Sequence, residues 1–272
     1  MLKKIIKCFT SKNSLLYLLW VRGNPTPLFT SLIKNKKLPT RYKVLISKFI
    51  FEPITKFRIK KVNELKDGIT VVITSAGRKE YLVPTLESMR KHLKYDGKIY
   101  WYIIDDLPDS KETREFIKNS NFDLTILNSK NKGLGYSLNK IYSEIKTKYV
   151  FHCEDDWLFM RDVPLNKTIN LFEKNKLSQL ILNKKSFNER RIDPENKQII
   201  NGKKFAIYNG FSFNPHLTTI NIFRKFMPFS YAYTEEVWSM KYRQNKLISG
   251  IYFEDNNLFI KHLGVKKKAV RY

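Results

Sequence analysis

The stretch Tyr149-Val-Phe-His-Cys-Glu-Asp-Asp-Trp-Leu-Phe159 joins a run of apolar and aromatic residues to three consecutive carboxylates. Its first part, Tyr149–Cys153, has the length and the β-branched and aromatic content of a buried strand. The acids Glu154, Asp155 and Asp156 would then follow the strand at the edge where open α/β sheets bind ligands. Because crowded carboxylates repel one another, the pattern predicts either a solvated acidic turn or a site in which a cation neutralises them.

Strand-like and helix-like segments alternate before this stretch, beginning at residue 67. Such alternation predicts βαβ units, a mostly parallel sheet flanked by helices, and hence the α/β class. A second acidic pair, Asp105-Asp106, and a glycine-containing loop at residues 132–135 would open at the same sheet edge. The predicted strands are Ile69–Thr74, Ile99–Ile104, Leu124–Leu127 and Tyr149–Cys153, and the predicted helices are Arg78–Leu93, Ser110–Asn119 and Tyr136–Ile145.

The alternation loosens beyond Asp162. The polar and charged segment Lys184–Lys204, which contains a proline and a glycine, is predicted to be a mobile excursion. The remaining pattern predicts helices at Leu165–Lys176 and Thr234–Tyr242 and strands at Leu177–Leu182 and Ile251–Phe253.

The chain of 272 residues carries 51 Lys and Arg against 25 Asp and Glu, a net charge of +26. This excess indicates an anionic partner, which charge alone leaves open among nucleic acid, a membrane surface and a phosphorylated substrate. Two cysteines form no disulfide framework, which favours a reducing cytoplasm. No apolar run is long enough to span a membrane, and no signal peptide is expected.

Residues 1–66 form a basic, aromatic-rich extension with 16 Lys and Arg and two acids. We expect either a peripheral foot on the anionic inner face of a membrane or an extension packed on the main domain with a solvated basic face. Residues 67–272 would be one α/β domain with two halves, residues 67–162 and residues 163–272.

Four segments in order resemble family-2-type glycosyltransferases with the GT-A (Rossmann-like) fold. They are Thr74-Ser-Ala-Gly-Arg78 with Thr85-Leu-Glu-Ser88, Ile103-Ile-Asp-Asp-Leu-Pro-Asp-Ser110, Asn131-Lys-Gly-Leu-Gly135 with Ser137-Leu-Asn139, and Glu154-Asp-Asp156. The last occupies the place of the family's Asp-x-Asp motif, with Glu where the family usually carries Asp. The resemblance implies transfer of a sugar from a nucleotide diphosphate, with a UDP-sugar favoured, to a glycan or lipid-linked acceptor in polysaccharide or glycolipid synthesis.

The resemblance also implies residue roles. A divalent metal, Mn²⁺ or Mg²⁺, would bind Asp156 directly, with Glu154 and His262 as further ligands. An inverting transferase needs a general base, and the family's position for it at a helix start is taken by Glu235 or Glu236. The implied substrate-binding residues are Thr74, Ala76, Arg78, Asp105, Asp106, Glu154 and Asp155, and the resemblance makes residues 67–162 the nucleotide-sugar half and residues 163–272 the acceptor half. Further predicted substrate contacts are Lys132, Gly133, His216 at the acceptor site, and Trp238, which would either stack on a sugar ring or pack in the core.

Two other functions compete with this one. A nucleic-acid-binding protein or metal-dependent nuclease would suit the basic charge, although the chain has no zinc-finger, RRM or helix-turn-helix pattern. A nucleotidyltransferase would need a basic, glycine-rich phosphate loop after the first strand, and Ser75-Ala-Gly-Arg78 is a poor substitute.

Overall fold

The computed structural model describes residues 65–107, 109–184, 197–200, 203–229, 234–253 and 257–264. Nearly all of the basic extension predicted for residues 1–66 lies outside these ranges. No helix in the part of the chain that the structure describes is long and apolar enough to cross a membrane.

The first half of the domain alternates strands and helices as predicted. Its elements are β1 (Lys66–Ser75), α1 (Lys79–His92), β2 (Leu93–Lys94), β3 (Ile99–Asp105), α2 (Lys111–Lys118), β4 (Leu124–Leu127), α3 (Leu134–Tyr142) and β5 (Thr147–Glu154). All four strands predicted here are present. Three of them are rich in β-branched and aromatic residues, which both faces of a covered sheet can bury, whereas Leu124–Leu127 is a four-residue edge strand with an exposed Thr125.

The second half contains more short strands than the sequence predicted. Its elements are β6 (Trp157–Phe159), β7 (Val163–Pro164), α4 (Leu165–Lys174), β8 (Gln179–Leu182), β9 (Lys197–Ile200), β10 (Lys203–Tyr208), β11 (His216–Thr219), α5 (Ile220–Phe226), α6 (Thr234–Gln244), β12 (Ser249–Phe253) and β13 (Ile260–His262).

Nine strands form the central sheet in the described residues, in the order β4-β3-β1-β5-β11-β8-β12-β10-β9. Neighbours from β4 to β5 pair in parallel, as do β8 and β12. Only β11 and β10 run against the others. Seven strands therefore point the same way, and β1, β3, β5, β8 and β12 all end at one edge.

Helices and loops bury both faces of this sheet. On one face, β1, β3 and β5 pack against α1 and β6 through Val71, Ile73, Phe151, Leu82 and Phe159. On the other, Val72, Ile104 and Val150 pack against a cluster of aromatic residues that includes Phe223, Trp238 and Tyr242. Because successive strand residues face opposite sides, Glu154 leaves β5 on the side of α6, the same side as Val150 and His152.

The predicted excursion at Lys184–Lys204 is wrong in its second part. Residues 197–200 and 203–208 form the antiparallel strands β9 and β10, and β10 pairs with β12. The charged residues masked the strand pattern, because outer strands of a sheet tolerate polar side chains that central strands exclude. Residues 185–196 lie outside the described residues.

Candidate active site

The acidic segments meet at the carboxyl edge of the sheet, as the parallel arrangement predicts. In the strand register, Thr74 of β1 lies beside Glu154 of β5, and Ser75 lies beside Asp105 of β3. The turn after β1 therefore lies between both acidic segments, and its glycine, Gly77, has a φ of +73° that favours a residue without a side chain.

Arg78 lies between two of the three acids. Its guanidinium forms an ion pair with Asp155 and a second one, 3.0 Å long, with Asp156 Oδ2. Asp155 Oδ2 also accepts a 3.0 Å hydrogen bond from the Ala76 amide. Burial alone would lower the pKa of Arg78, but the two carboxylates raise it above its ordinary value. The internal cation therefore neutralises part of the acidic cluster, and Ala76 and Arg78, which were predicted to bind the nucleotide, both contact that cluster.

Burial raises the pKa of Asp155 to about 6, against the lowering effect of Arg78 and of the Ala76 amide. Burial likewise raises the pKa of Glu154 to about 8, and the charges of Asp156, Asp155 and Glu235 raise it further. The three consecutive acids are thus crowded and buried, and the Arg78 guanidinium does not stabilise the negative charge of all three.

Asp156 is the acid that the carboxy-terminal segment closes over. His262 Nε2 lies 3.4 Å from its Oδ2 atom, and the Leu263 amide donates a 2.8 Å hydrogen bond to its carbonyl. A Cβ atom at Gly264 would lie only 2.8 Å from the same Oδ2 atom. The other carboxylate oxygen, Oδ1, is buried and has no hydrogen-bond partner. The sequence prediction that His262 joins Asp156 thus agrees with their placement.

Two hydroxyl groups of α1 hold the backbone around the acids. Thr85 Oγ1 donates to the Asp155 carbonyl and accepts from the Trp157 amide, both at 3.0 Å. Ser88 Oγ accepts from the Phe159 amide at 3.1 Å. β6 pairs with β13 along one edge. Along its other edge, side chains of α1 take the place of the backbone groups of a neighbouring strand.

Asp105 is fully buried and holds the turn after β1. Its Oδ1 atom accepts a 2.9 Å hydrogen bond from the Gly77 amide, and Oδ2 forms a 3.4 Å ion pair with Arg114 Nε. Burial raises the pKa of Asp105 above its ordinary value. Since the side chain is 0% exposed, the predicted contact of Asp105 with a nucleotide is not available in this arrangement.

Asp106 binds the loop at residues 132–135, which was predicted to open at the same sheet edge. Its carboxylate accepts hydrogen bonds from the backbone amides of Lys132 and Gly133, at 2.9 and 2.5 Å, and from Asn128 Nδ2 at 2.8 Å. The Asp106 carboxylate and these two amides are therefore paired within the protein, and together they fix the start of α3. The Lys132 side chain, in contrast, is exposed, and its contact with substrate stays a prediction.

Glu235 is the one of the two candidate bases for which the structure gives contacts with the site. Its Oε1 atom accepts a 3.3 Å hydrogen bond from the Phe213 amide, and its charge contributes to the raised pKa of Glu154. Glu235 and Glu236 are both exposed in the first turn of α6. Glu235 therefore contacts the segment that carries Phe213 and lies near Glu154, and the choice of base between the two acids stays a prediction.

His216 belongs to the core and not to an acceptor pocket, which corrects the sequence prediction. It pairs with His152 across β11 and β5, and the two ring centroids lie 5.2 Å apart. Its Nδ1 atom donates a 2.8 Å hydrogen bond to the Asn214 carbonyl. Complete burial lowers the pKa of His216 to about 4, so the ring is neutral at physiological pH.

Trp238 was predicted to stack on a sugar ring, and that prediction is wrong. The side chain is 0% exposed, and its ring stacks on Phe229 with centroids 4.2 Å apart. Phe211 and Phe223 pack against it as well. An indole on the apolar side of an amphipathic helix fits the core as readily as a sugar site, and the sequence does not separate the two.

The predicted metal ligands Glu154, Asp156 and His262 do not form one cluster. Within the described ranges, no group of three or more His, Cys, Asp or Glu side chains is arranged to hold a metal ion. Asp156 and His262 lie together, whereas Glu154 leaves the strand toward α6. Arg78 occupies the space between the aspartates.

Three residues at this edge carried no signal in the sequence: Arg114, Asn128 and Lys184. Lys184 follows β8, and its Nζ atom donates a 3.1 Å hydrogen bond to Asn214 Oδ1 and lies 5.2 Å from the centre of the Trp157 ring. That ring lies 4.6 Å from the His262 ring. The Trp157 ring therefore contacts both Lys184 and His262, and His262 contacts Asp156. No motif around Lys184 in the sequence indicates this position.

Residues 70–236 match glycosyl transferase family 2. The chain belongs to this family. The match includes every acidic segment of the site. No curated protein sequence matches the chain.

Solved glycosyltransferase structures share the GT-A fold with this family 2 protein at low identity. A mannosyltransferase from Pyrobaculum calidifontis, in complex with GDP-Man and Mn²⁺, has a TM-score of 0.57 and 11% identity over 93% of this chain and 70% of its own. GalNAc-T7 with UDP, GalNAc and Mn²⁺ has a TM-score of 0.57 and 13% identity over 74% and 44%.

S. aureus TarS, as residues 1–349 in complex with UDP, has a TM-score of 0.52 and 13% identity over 71% of this chain and 59% of its own. The family 2 chain thus spans less than two thirds of the TarS and GalNAc-T7 chains it resembles.

Proposed function

We propose that the protein is an inverting, metal-dependent transferase that moves a sugar from a nucleotide diphosphate to a glycan or lipid-linked acceptor. The observation that carries the proposal is that two pairs of side chains lie at one edge of the sheet. One pair is Asp156 and His262, and the other is Glu154 and Glu235. The first pair suits a diphosphate-bound cation, and the second suits an acceptor hydroxyl. UDP is the favoured donor nucleotide, since two of the related structures described above hold UDP.

The residues around Asp156 fit a divalent cation that shares its ligands with a substrate. Asp156 Oδ1 is buried without a hydrogen-bond partner, and His262 Nε2 lies 3.4 Å from Oδ2 of the same carboxylate. Mn²⁺ and Mg²⁺ commonly take one or two protein ligands and complete their shell with phosphate oxygens and water. When bound, the cation would stabilise the negative charge of the departing diphosphate.

Arg78 then has a defined part in donor binding. It already neutralises Asp155 and Asp156, so a cation arriving with the nucleotide would compete with it for Asp156. We expect Arg78 to keep its pair with Asp155, which lies on the α1 side, and to release Asp156. The exposed part of the guanidinium would then face the phosphates, with which arginine pairs favourably.

Glu235 is the general base in this proposal. It would accept the proton of the acceptor hydroxyl as that oxygen attacks the anomeric carbon from the face opposite the diphosphate. The bond between that carbon and the diphosphate oxygen breaks in the same step. The Phe213 amide holds Glu235 in place, and the positive end of the α6 dipole favours its negative charge.

The excess of basic residues in the first 66 positions supports a proposal for where the enzyme acts and on which acceptor. Residues 1–66 would hold the enzyme at the anionic inner face of a membrane, on the cytoplasmic side, where lipid-linked precursors of cell-surface polysaccharide or glycolipid are glycosylated.

A nucleotide panel tests the proposed donor and metal. We expect thermal unfolding of the full chain to shift upward with one of UDP, GDP, CMP and dTDP, and only in the presence of Mn²⁺. A ligand at a hundred times its dissociation constant contributes about 2.7 kcal/mol to native stability. Asp156→Ala should lose the shift, whereas Lys118→Ala on the exposed end of α2 should keep it.

A manganese-independent shift would contradict the metal assignment and leave nucleotide binding intact. If none of the four nucleotides stabilises the wild-type chain with or without Mn²⁺, the proposed donor chemistry is wrong.

A further inference from the structure

The two edges of the central sheet differ in charge. The amino edge, opposite the edge that carries the acids, is where β1, β3, β4, β5, β8 and β12 begin. The segments leading into these strands contain nine Lys and Arg and five Asp and Glu, whereas the segments at the acidic edge contain five and eight. They are residues 65–68, 94–98, 119–123, 143–148, 173–178 and 243–248 at the amino edge, and residues 75–79, 105–110, 128–133, 154–156, 183–184 and 234–236 at the acidic edge. The excess of basic charge at these strand ends therefore lies on the side of the sheet away from the proposed donor site.

Most basic residues of the amino edge lack an acidic partner. Lys66 and Lys98 both lie over the Tyr100 ring, with their amino groups 5.6 and 4.7 Å from its centre. The Lys66 amide also donates a 2.7 Å hydrogen bond to the carbonyl of Lys146, whose side chain is exposed. Among the described residues, Lys148 is the one basic residue of these segments that forms an ion pair. Such a set of unneutralised like charges favours an anionic partner.

Exposed aliphatic side chains lie among these basic residues. Leu65 is 40% exposed directly before Lys66, and Ile248 is 41% exposed two residues after Lys246. The Ile248 carbonyl accepts a 2.8 Å hydrogen bond from the Ser178 amide, so the segments before β8 and β12 lie side by side. Since β5, β11 and β8 separate β1 from β12, the two aliphatic positions are about 20 Å apart. The amino edge thus combines positive charge and exposed aliphatic residues on one surface.

This combination fits an anionic lipid surface better than a nucleic acid. Lysines attract acidic headgroups, and aliphatic side chains beside them enter the boundary between headgroups and acyl chains. Single-stranded nucleic acid is held instead by exposed aromatic rings on which the bases stack. Within the described ranges, the exposed large hydrophobic residues are Leu65, Met160 and Ile248, and none of them is aromatic.

The basic extension enters the domain at the same edge, since β1 begins at Lys66. Residues 1–66 carry 16 Lys and Arg and two acids. The extension and the amino edge therefore have the same sign of charge. This disfavours packing of one against the other and favours an anionic partner that is common to both.

We propose that the amino edge of the catalytic domain docks on an anionic bilayer, with its lysines at the lipid headgroups and Ile248 at the interface. The inference rests on the proposed function, because it assigns an orientation to the membrane-bound enzyme. β1 has 10 residues, so the acids at its far end would lie about 30 Å from the lipid and face water. A nucleotide would reach the site from solution, and a lipid-linked acceptor would reach it only through a glycan chain of comparable length.

Binding of the full chain to vesicles of phosphatidylcholine, with and without phosphatidylglycerol, tests this surface. We expect Lys146→Glu combined with Lys176→Glu to weaken binding to the anionic vesicles at least about tenfold, or about 1.4 kcal/mol, at about 0.1 M salt. Lys111→Glu combined with Lys130→Glu changes the net charge equally at exposed positions near the acidic edge. Because the Debye length is about 10 Å at this salt concentration, the second pair should weaken binding less than about twofold. Equal losses would overturn the docking surface.

A fluorescent label measures the orientation without changing the charge. In a Cys8→Ser background, where the remaining Cys153 is buried, Ile248→Cys or Ser129→Cys places one polarity-sensitive dye at the amino edge or at the acidic edge. Anionic vesicles should shift the emission of the dye at residue 248 to shorter wavelength and leave the dye at residue 129 unchanged. Vesicle binding that leaves the dye at residue 248 unchanged would show that another part of the chain holds the lipid, and would contradict docking of the amino edge.

An oligonucleotide arm separates lipid from other polyanions. Ile248→Ser removes an aliphatic contact and no charge, so it should weaken vesicle binding and leave the binding of a single-stranded oligonucleotide unchanged. If Ile248→Ser changes neither, and the Lys146→Glu, Lys176→Glu variant loses both equally, the amino edge attracts polyanions in general and the lipid assignment is wrong.

The manganese-dependent nucleotide shift keeps this proposal apart from the proposed function. A preserved shift in the Lys146→Glu, Lys176→Glu variant would show that the variant is folded and that its donor site is intact. Vesicle binding that depends on the amino edge, with no nucleotide shift in the wild type, would keep the lipid surface and refute the transferase mechanism. A normal nucleotide shift, with vesicle binding independent of the amino edge, would refute the lipid surface and keep the mechanism.

Discussion

The sheet edge in residues 67–162 is held by hydrogen bonds, whereas the described residues around α6 are held by aromatic packing. In the first region, carboxylates bind backbone amides of neighbouring turns, as Asp105 binds Gly77 and Asp106 binds Gly133. In the second, Trp238 and Phe229 stack beneath the exposed start of α6. The comparison indicates that the proposed donor side is fixed by polar contacts before ligand arrives, while the proposed acceptor side presents Glu235 and Glu236 above packed aromatic residues.

The largest expected effect is a loss of sugar transfer, with donor binding kept, when the proposed base is removed. Glu235→Gln should reduce transfer about 10²- to 10⁴-fold, the usual range for loss of a general base, because the amide cannot accept the acceptor proton. Donor binding, measured by the nucleotide-dependent shift in unfolding temperature, should stay within about twofold. Glu236→Gln is the matched control at the adjacent exposed position. A normal transfer rate for Glu235→Gln would place the base elsewhere.

The next effect concerns stability of the aromatic region. Trp238→Ala should reduce the free energy of unfolding by about 3–5 kcal/mol, as expected when a fully buried aromatic side chain is removed from a core. Denaturant unfolding of the purified variant measures it. Trp238→Phe retains much of the volume and should cost clearly less. If Trp238→Ala is as stable as the wild type but transfers no sugar, the indole contacts substrate after all.

The smallest effect concerns the acids of the polar region. Glutamate has an ordinary pKa of 4.5, and that of Glu154 is raised to about 8. Between these values the folded protein retains a proton that the unfolded chain has lost, so the contribution of Glu154 to stability falls as pH rises.

Glu154→Gln remains neutral and should remove this part of the pH dependence. Without nucleotide or metal, we expect the stability difference between wild type and Glu154→Gln to change by about 1–3 kcal/mol from pH 5 to pH 8. Parallel unfolding curves across that range would show that the Glu154 carboxyl is ionised in the folded state. Asp155, with a pKa of about 6, adds a slope of the same sign mainly below that pH.

The strands of the first half were predictable because their hydrophobic runs are continuous and local. Ile69–Thr74 and Ile99–Ile104 each lie within an observed strand. The hairpin of β9 and β10 and the short strand β11 were not predicted. Their pairing partners lie far away in the sequence, as β11 is held between β5 and β8, and four residues carry too little periodicity to reveal a strand.

The site was predictable in its location and less so in its contacts. Parallel strands bring the acidic segments to one edge of the sheet, so the sequence alone predicted that Asp105 and Glu154 lie at the same edge. What a carboxylate contacts depends on tertiary neighbours: Asp106 binds a loop 26 residues later through the Lys132 amide. Likewise, the burial of Trp238 and His216 depends on which face their elements present to the core, which residue type alone does not determine.

The contact between Asp156 and the His262–Gly264 segment also determines when the site can be completed. Leu263 donates a backbone hydrogen bond to Asp156, more than a hundred residues earlier in the chain. During synthesis, the sheet edge from β1 to β5 can emerge from the ribosome and fold long before that segment is made. A nascent chain would therefore display its acids without their last partner, and the proposed donor site would be completed only after the His262–Gly264 segment has been made.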